Sequence, residues 1–137
     1  MLNTDDLRAY TAPQMLIGGH WRLGSASTAS PVIDPATGNT LDELSHASSA
    51  DLDAALVAAE RGFAAWKRVP AAERQRMLQH GIDAIRARRE DIARCLTLEQ
   101  GKPLVQARAE VDVATSMMQW CWRSLKTDPL TGAAIAQ

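Results

Sequence analysis

Cysteine is scarce. Two in 137 residues cannot staple a fold, and Cys95 and Cys121 fall inside helical patterns, which points to a reduced, cytoplasmic protein. Charge of one sign is absent as well. Fifteen basic and 16 acidic residues are well mixed and leave a net charge of −1. That excludes a nucleic-acid surface or an anionic-membrane surface. No apolar run approaches the ~20 residues that cross a bilayer. Met1-Leu2-Asn3-Thr4-Asp5-Asp6 is polar and acidic, without the basic and apolar regions of a signal peptide. Missing too are a G-x-G-x-x-G after a strand, a G-x-x-x-x-G-K-[ST] loop and a G-x-S-x-G elbow.

What is present divides by period. Residues 1–14 read as a flexible arm. Met15-Leu16-Ile17 and His20-Trp21 flank Gly18-Gly19 as a β-hairpin. Pro31-Val32-Ile33 is extended, with proline marking an edge or a strand start. Asp34-Pro35-Ala36-Thr37-Gly38-Asn39 is a turn, and Thr40 to Leu44 returns as a strand. Ser48 and Asp51 then have the form of a capping box. Leu52, Leu56, Ala59, Phe63 and Trp66 follow at spacings of 4, 3, 4 and 3, one face of a helix. A second helix opens at Pro70, with Met77, Leu78, Ile82 and Ile85 as its stripe. It resumes through Ile92, Cys95 and Leu96 after a kink near Arg88-Arg89. Gly101 ends it and Pro103 starts the last helix, whose stripe is Leu104, Ala107, Val111, Ala114, Met118, Cys121 and Leu125. The fold class is α+β: a small N-terminal hairpin and strands, then three to four antiparallel helices.

No self-contained active site emerges. His20, His46 and His80 lack metal-ligand spacing and read as structural. Cys95 and Cys121 on apolar stripes read as core thiols, small hydrophobes with no His nearby in sequence. Trp66, Trp120 and Trp122 read as packing anchors on helices. The charged run Arg86 to Asp91 reads as a solvated helix face.

Four segments, in order, resemble the N-terminal part of NAD(P)-dependent aldehyde dehydrogenases. Leu16-Ile17-Gly18-Gly19-His20-Trp21 is similar to the family's opening strand pair. Val32 to Asn39 is similar to its N-P-A-T-G-E turn, with Asp34 where Asn is usual. Asp51 to Leu78 is similar to its first long helix and the start of the second. Leu96-Thr97-Leu98-Glu99-Gln100-Gly101-Lys102-Pro103-Leu104 resembles a signature run, above all of the succinate-semialdehyde branch. The resemblance implies an α/β enzyme in which residues 15–126 belong to the cofactor-binding domain and 127–137 form a divergent tail, as a truncation or shifted frame would leave. It implies a cysteine thiolate that attacks an aldehyde or semialdehyde, hydride transfer to NAD or NADP, and hydrolysis to the acid by a glutamate-activated water.

The family's nucleophile, base and cofactor loop do not occur in these 137 residues, so no catalytic and no cofactor-binding residue is assigned. The chain alone is expected to be inactive and to bind no cofactor. Two traces carry over by resemblance. A monovalent cation would be held by the carbonyls of Val32 and Ile33 and by Glu99. Part of the substrate entrance would be lined by Ala114, Met117, Met118 and Cys121, although a Met stripe at helical spacing also reads as core. Self-association through exposed apolar helix faces is expected, with an aldehyde as the intact enzyme's substrate and no nucleic acid or membrane as partner. The rival readings are a non-enzymatic helical interaction module and a degenerate gene product.

Overall fold

The computed structural model describes residue 10 and residues 13–124, with side chains as far as Cys121. The expected arm at 1–14 lies largely outside these residues. The expected tail at 127–137 lies wholly outside them, as does Leu125 of the last stripe. The chain forms two compact units. One runs to Arg68 and also takes in Leu98–Gly101. The other comprises Val69–Thr97 and the chain from Lys102 onward.

In the first unit, β1 (Met15–Ile17) pairs antiparallel with β2 (His20–Arg22), Leu16 opposite Trp21. Gly18 and Gly19 take φ of 61° and 87°. A two-residue hairpin loop with positive φ at both positions matches the right-handed strand twist, and glycine adopts it without a steric penalty. The second pair is β3 (Ala29–Ile33) with β4 (Thr40–Ser45), with a register irregularity between Val32 and Ile33. The joining turn is closed by Asp34, whose Oδ1 accepts the Ala36 N–H (2.8 Å) and whose Oδ2 accepts the Thr37 hydroxyl (3.0 Å). The expected hairpin, second strand and return strand are all in place.

Helix α1 (Ser49–Trp66) starts at the predicted capping box. The Asp51 N–H donates to Ser48 Oγ and the Ser48 N–H donates to the Asp51 carboxylate, so two end donors are satisfied reciprocally. The stripe on this helix is not its buried face. Leu52, Leu56, Phe63 and Trp66 are 57, 69, 66 and 36% exposed. Asp51 is buried instead, and Ala54, Ala55 and Ala58 are half-buried on the side of the hairpin. Small alanines let the Gly18-Gly19 turn approach: a Cβ built on Gly18 would lie 3.8 Å from Ala58 Cβ. The helical period was legible, but the surface the hairpin chose is the small-residue face beside the stripe.

The second unit carries α2 (Ala71–Ala87), most of α3 (Arg89–Gln100) and α4 (Leu104–Ser124). The expected kink is a helix break at Arg88. Its core is Ala93, Ala107 and Val111, flanked by Ile85, Ile92, Leu96 and Leu104. Ile82 is buried, whereas Met77 and Leu78 of the same stripe are exposed. On α4 the stripe holds through Val111 and then departs from expectation. Thr115 is buried, its hydroxyl donating to the Val111 and Asp112 carbonyls, while Ala114, Met118 and Cys121 are exposed. Cys95 is exposed too. Both thiols therefore leave the core to which periodicity assigned them, because each stripe is wider than the surface packed against it. The anchoring role expected of the tryptophans also fails for Trp120, which is exposed like Trp21. No described helix is long and apolar enough to cross a membrane.

Candidate functional site

Among the described residues the most connected polar group is Asp51, only 4% exposed. Beyond its capping role, its Oδ2 accepts the Ser25 hydroxyl (2.6 Å) and the Ser25 N–H (2.8 Å), and its Oδ1 accepts Arg22 Nη2 (2.8 Å). These bonds tie the loop after the hairpin to the first turn of α1. The Ser25 hydroxyl and then the Ser48 and Ser25 backbone N–H groups hold the carboxyl far below the ordinary carboxylate range, against the opposing effect of burial. The group is a structural anion: every donor around it belongs to the fold. The capping motif identified Asp51 in the sequence. Its partners Arg22 and Ser25 lie too far away along the chain for any local pattern to connect them.

Val32, Ile33 and Glu99 all fall in the first unit. Val32 is half-buried, and Ile33 and Glu99 are exposed. The turn that follows Ile33 meets the end of α3. Gly101 has φ of 69°, and a Cβ built there would lie 3.0 Å from Pro35 Cγ. Glu99 Oε1 accepts the Tyr10 hydroxyl at 2.7 Å. Backbone carbonyls and one carboxylate are the donor set of a hard cation. Among the described residues no group of three His, Cys, Asp or Glu side chains gathers as a metal site. His46 is engaged on both sides, Nδ1 with Thr28 Oγ1 (2.9 Å) and Nε2 with Ser30 Oγ (2.8 Å), which makes it a cross-strand brace between β4 and β3.

The charged run is solvated, as expected, and it also cross-links two helices. Arg89 grips Asp112 with Nε and Nη2, both at 2.6 Å, and Arg108 grips Glu90 with Nε at 2.9 Å and Nη2 at 2.8 Å. Two fork-shaped guanidinium pairs thus join α3 to α4. Arg108 holds the Glu90 carboxyl below its ordinary value, and Arg89 does the same to Asp112. Lys102, in the link between the two helices, pairs with Glu110 of α4.

Met117 and Met118 each stand three or four residues from both Ala114 and Cys121, so the four share one face of α4. All four are exposed. They form an apolar, sulfur-rich strip without a basic or acidic member.

Comparison with known proteins places this arrangement. The aldehyde dehydrogenase family profile matches residues 21–136. The chain is 45% identical over 111 residues to 4-(hydroxymethyl)benzenesulfonate dehydrogenase of Comamonas testosteroni, covering 81% of this chain and 23% of that protein. It is 36% identical over 107 residues to the NADP-dependent succinate-semialdehyde dehydrogenase of Escherichia coli, covering 78% and 22%. A solved NAD-dependent aldehyde dehydrogenase from Sinorhizobium meliloti superposes with a TM-score of 0.81 at 30% identity, covering 92% of this chain and 26% of that one. The chain spans about a quarter of the length of the relatives it matches.

Proposed function

The chain belongs to the aldehyde dehydrogenase family, and from that premise we propose that it forms the N-terminal region of an NAD(P)-dependent enzyme that oxidises an aldehyde to a carboxylic acid. Residues 15–126 supply part of the cofactor-binding domain of that enzyme. A semialdehyde, or an aldehyde bearing another acidic group, is the substrate class that fits the relatives named for a sulfonate and for succinate semialdehyde. A cytoplasmic location accords with the low cysteine count.

The observation that carries this reading is 45% identity sustained over 111 residues, 81% of the chain. Within the family scheme, the roles open to these residues are supporting ones. The carbonyls of Val32 and Ile33 and the Glu99 carboxylate would hold a monovalent cation, in keeping with the meeting of the Pro35 turn and Gly101. The face made by Ala114, Met117, Met118 and Cys121 would line the substrate entrance, in keeping with its exposure. Nucleophile, base and nicotinamide contacts come from elsewhere in the enzyme. The 137 residues alone therefore neither turn over nor bind the cofactor, and their uncovered apolar faces drive self-association.

The test is purified chain assayed with succinate semialdehyde and NAD or NADP, alone and co-expressed with the Escherichia coli relative lacking its matching N-terminal quarter. Reduced nicotinamide should form only in the co-expressed pair. Turnover by the chain alone, abolished by a thiol alkylator, would overturn the supporting role.

A further inference from the structure

We propose that Tyr10 is a positioning residue for Glu99. Its hydroxyl holds one carboxylate oxygen and leaves the other to the monovalent cation, and the inference rests on the cation reading given above. The Tyr10 hydroxyl donates to Glu99 Oε1 at 2.7 Å, across a separation of 89 residues. Glu99 is exposed and lies in the last turn of α3. An untethered glutamate there would sample several rotamers, and a cation would have to order it on binding. A phenolic O–H given to a carboxylate is a charge-assisted hydrogen bond, about twice as strong as a neutral one. Tyr10 therefore does the ordering before the cation arrives.

The carbonyl side of the same unit is arranged to match. Val32 pairs with Asp42 and Ile33 with Thr40, so Leu41 is an extra residue and the ladder is interrupted between Val32 and Ile33. A bulge takes backbone groups out of regular ladder bonding, and a carbonyl there can turn to another partner. The Pro35 turn, which follows Ile33, closes on Gly101, which follows Glu99. Tyr10, Val32, Ile33 and Glu99 all belong to the first unit. The phenol has an opposing effect, because donating to Oε1 draws charge from the carboxylate. An ionised carboxylate accepts at about four sites over its two oxygens, so Oε2 is left to a cation and the gain from ordering outweighs that loss.

Sodium-23 line broadening on the 137-residue chain tests this, with N-methylglucamine chloride keeping the ionic strength constant. Tyr10 is the only tyrosine of the chain, so carbon-13 in the tyrosine ring reports its hydrogen bond in a single signal. That signal should shift along the sodium titration with the midpoint of the line broadening. Tyr10→Phe should weaken sodium binding roughly two- to tenfold. Glu99→Gln keeps an acceptor for Tyr10 and loses the charge, so it should abolish saturable binding and retain the Tyr10 hydrogen bond. Circular dichroism checks that both variants keep their helix content. Sodium bound equally or more tightly by Tyr10→Phe would overturn the positioning role and leave the cation reading standing. So would a thermal midpoint that Tyr10→Phe lowers by the same amount with and without sodium, the mark of a purely structural tie. A natural chain on which sodium broadening never saturates would overturn both.

Discussion

Asp51 concentrates more structural consequence than any other described side chain, because it caps α1 and also receives Arg22 and Ser25. Asp51→Asn keeps the shape, removes the charge and introduces donors that face Ser25 and Arg22. The expected outcome is a lower thermal midpoint with earlier loss of the hairpin, seen as increased hydrogen exchange at Ser25 and Ser48. The natural carboxyl titrates below its ordinary 3.8 in the folded chain. A depressed folded value means that the stabilisation is complete above about pH 4 and is lost as pH falls through the folded value. Glu90 and Asp112 shift in the same direction, so all three act with the same sign. Acid titration of the melting midpoint should therefore show a decline that begins near pH 4, and Asp51→Asn should flatten it. The thiols give a further check at this scale. Cys95 and Cys121 are exposed, so iodoacetamide should modify both in the folded chain at rates comparable to a urea-denatured control. Strong protection would return them to the core.

Among the elements, the end of α3 is fixed by backbone geometry. Gly101 sits at φ of 69° against Pro35. Gly101→Ala should cost about 1–2 kcal/mol from the left-handed backbone, and Pro35 must also shift. The midpoint of urea unfolding measures it; an unchanged midpoint would mean that Gly101 does not hold the left-handed conformation. This glycine was legible in the sequence as a helix stop, since residue type and backbone requirement coincide there. The hairpin at Gly18-Gly19, the Ser48 cap and the break at Arg88 were legible for the same reason. Faces were harder to read than ends. Periodicity located the stripe through Leu52 and Phe63 but could not say that Ala54 and Ala58 would be the side chosen by the hairpin, because burial depends on what arrives from elsewhere in the chain. The link from Asp51 to Arg22 was hidden in the same way. For the candidate cation and entrance positions, residue chemistry suggested little, and the resemblance supplied the assignments.

At the scale of the whole molecule, the described chain leaves many large apolar side chains in water, and its tight core is built from small ones such as Ala93 and Ala107. Each large apolar residue left in solvent forgoes roughly 1.5–3 kcal/mol of burial, a large share of the about 5–15 kcal/mol that keeps a domain folded. The thermal midpoint should therefore rise with protein concentration, since association covers part of that surface. Differential scanning calorimetry over a hundredfold concentration range checks this, and a constant, sharp transition would show that the units close their own cores.

The same exposure gives the chain an optical property. Trp21 on the hairpin and Trp120 on α4 stand mostly in solvent, and Trp66 at the end of α1 is about one-third exposed. Indole emission shifts to longer wavelength in water and is quenched by dissolved iodide on collision, so the dilute chain should emit far to the red and be readily quenched. A phenylalanine at positions 21, 120 and 122 would leave Trp66 as the sole emitter. Its colour and its accessibility to iodide would then follow the covering of one helix face, residue by residue, as a partner surface arrives.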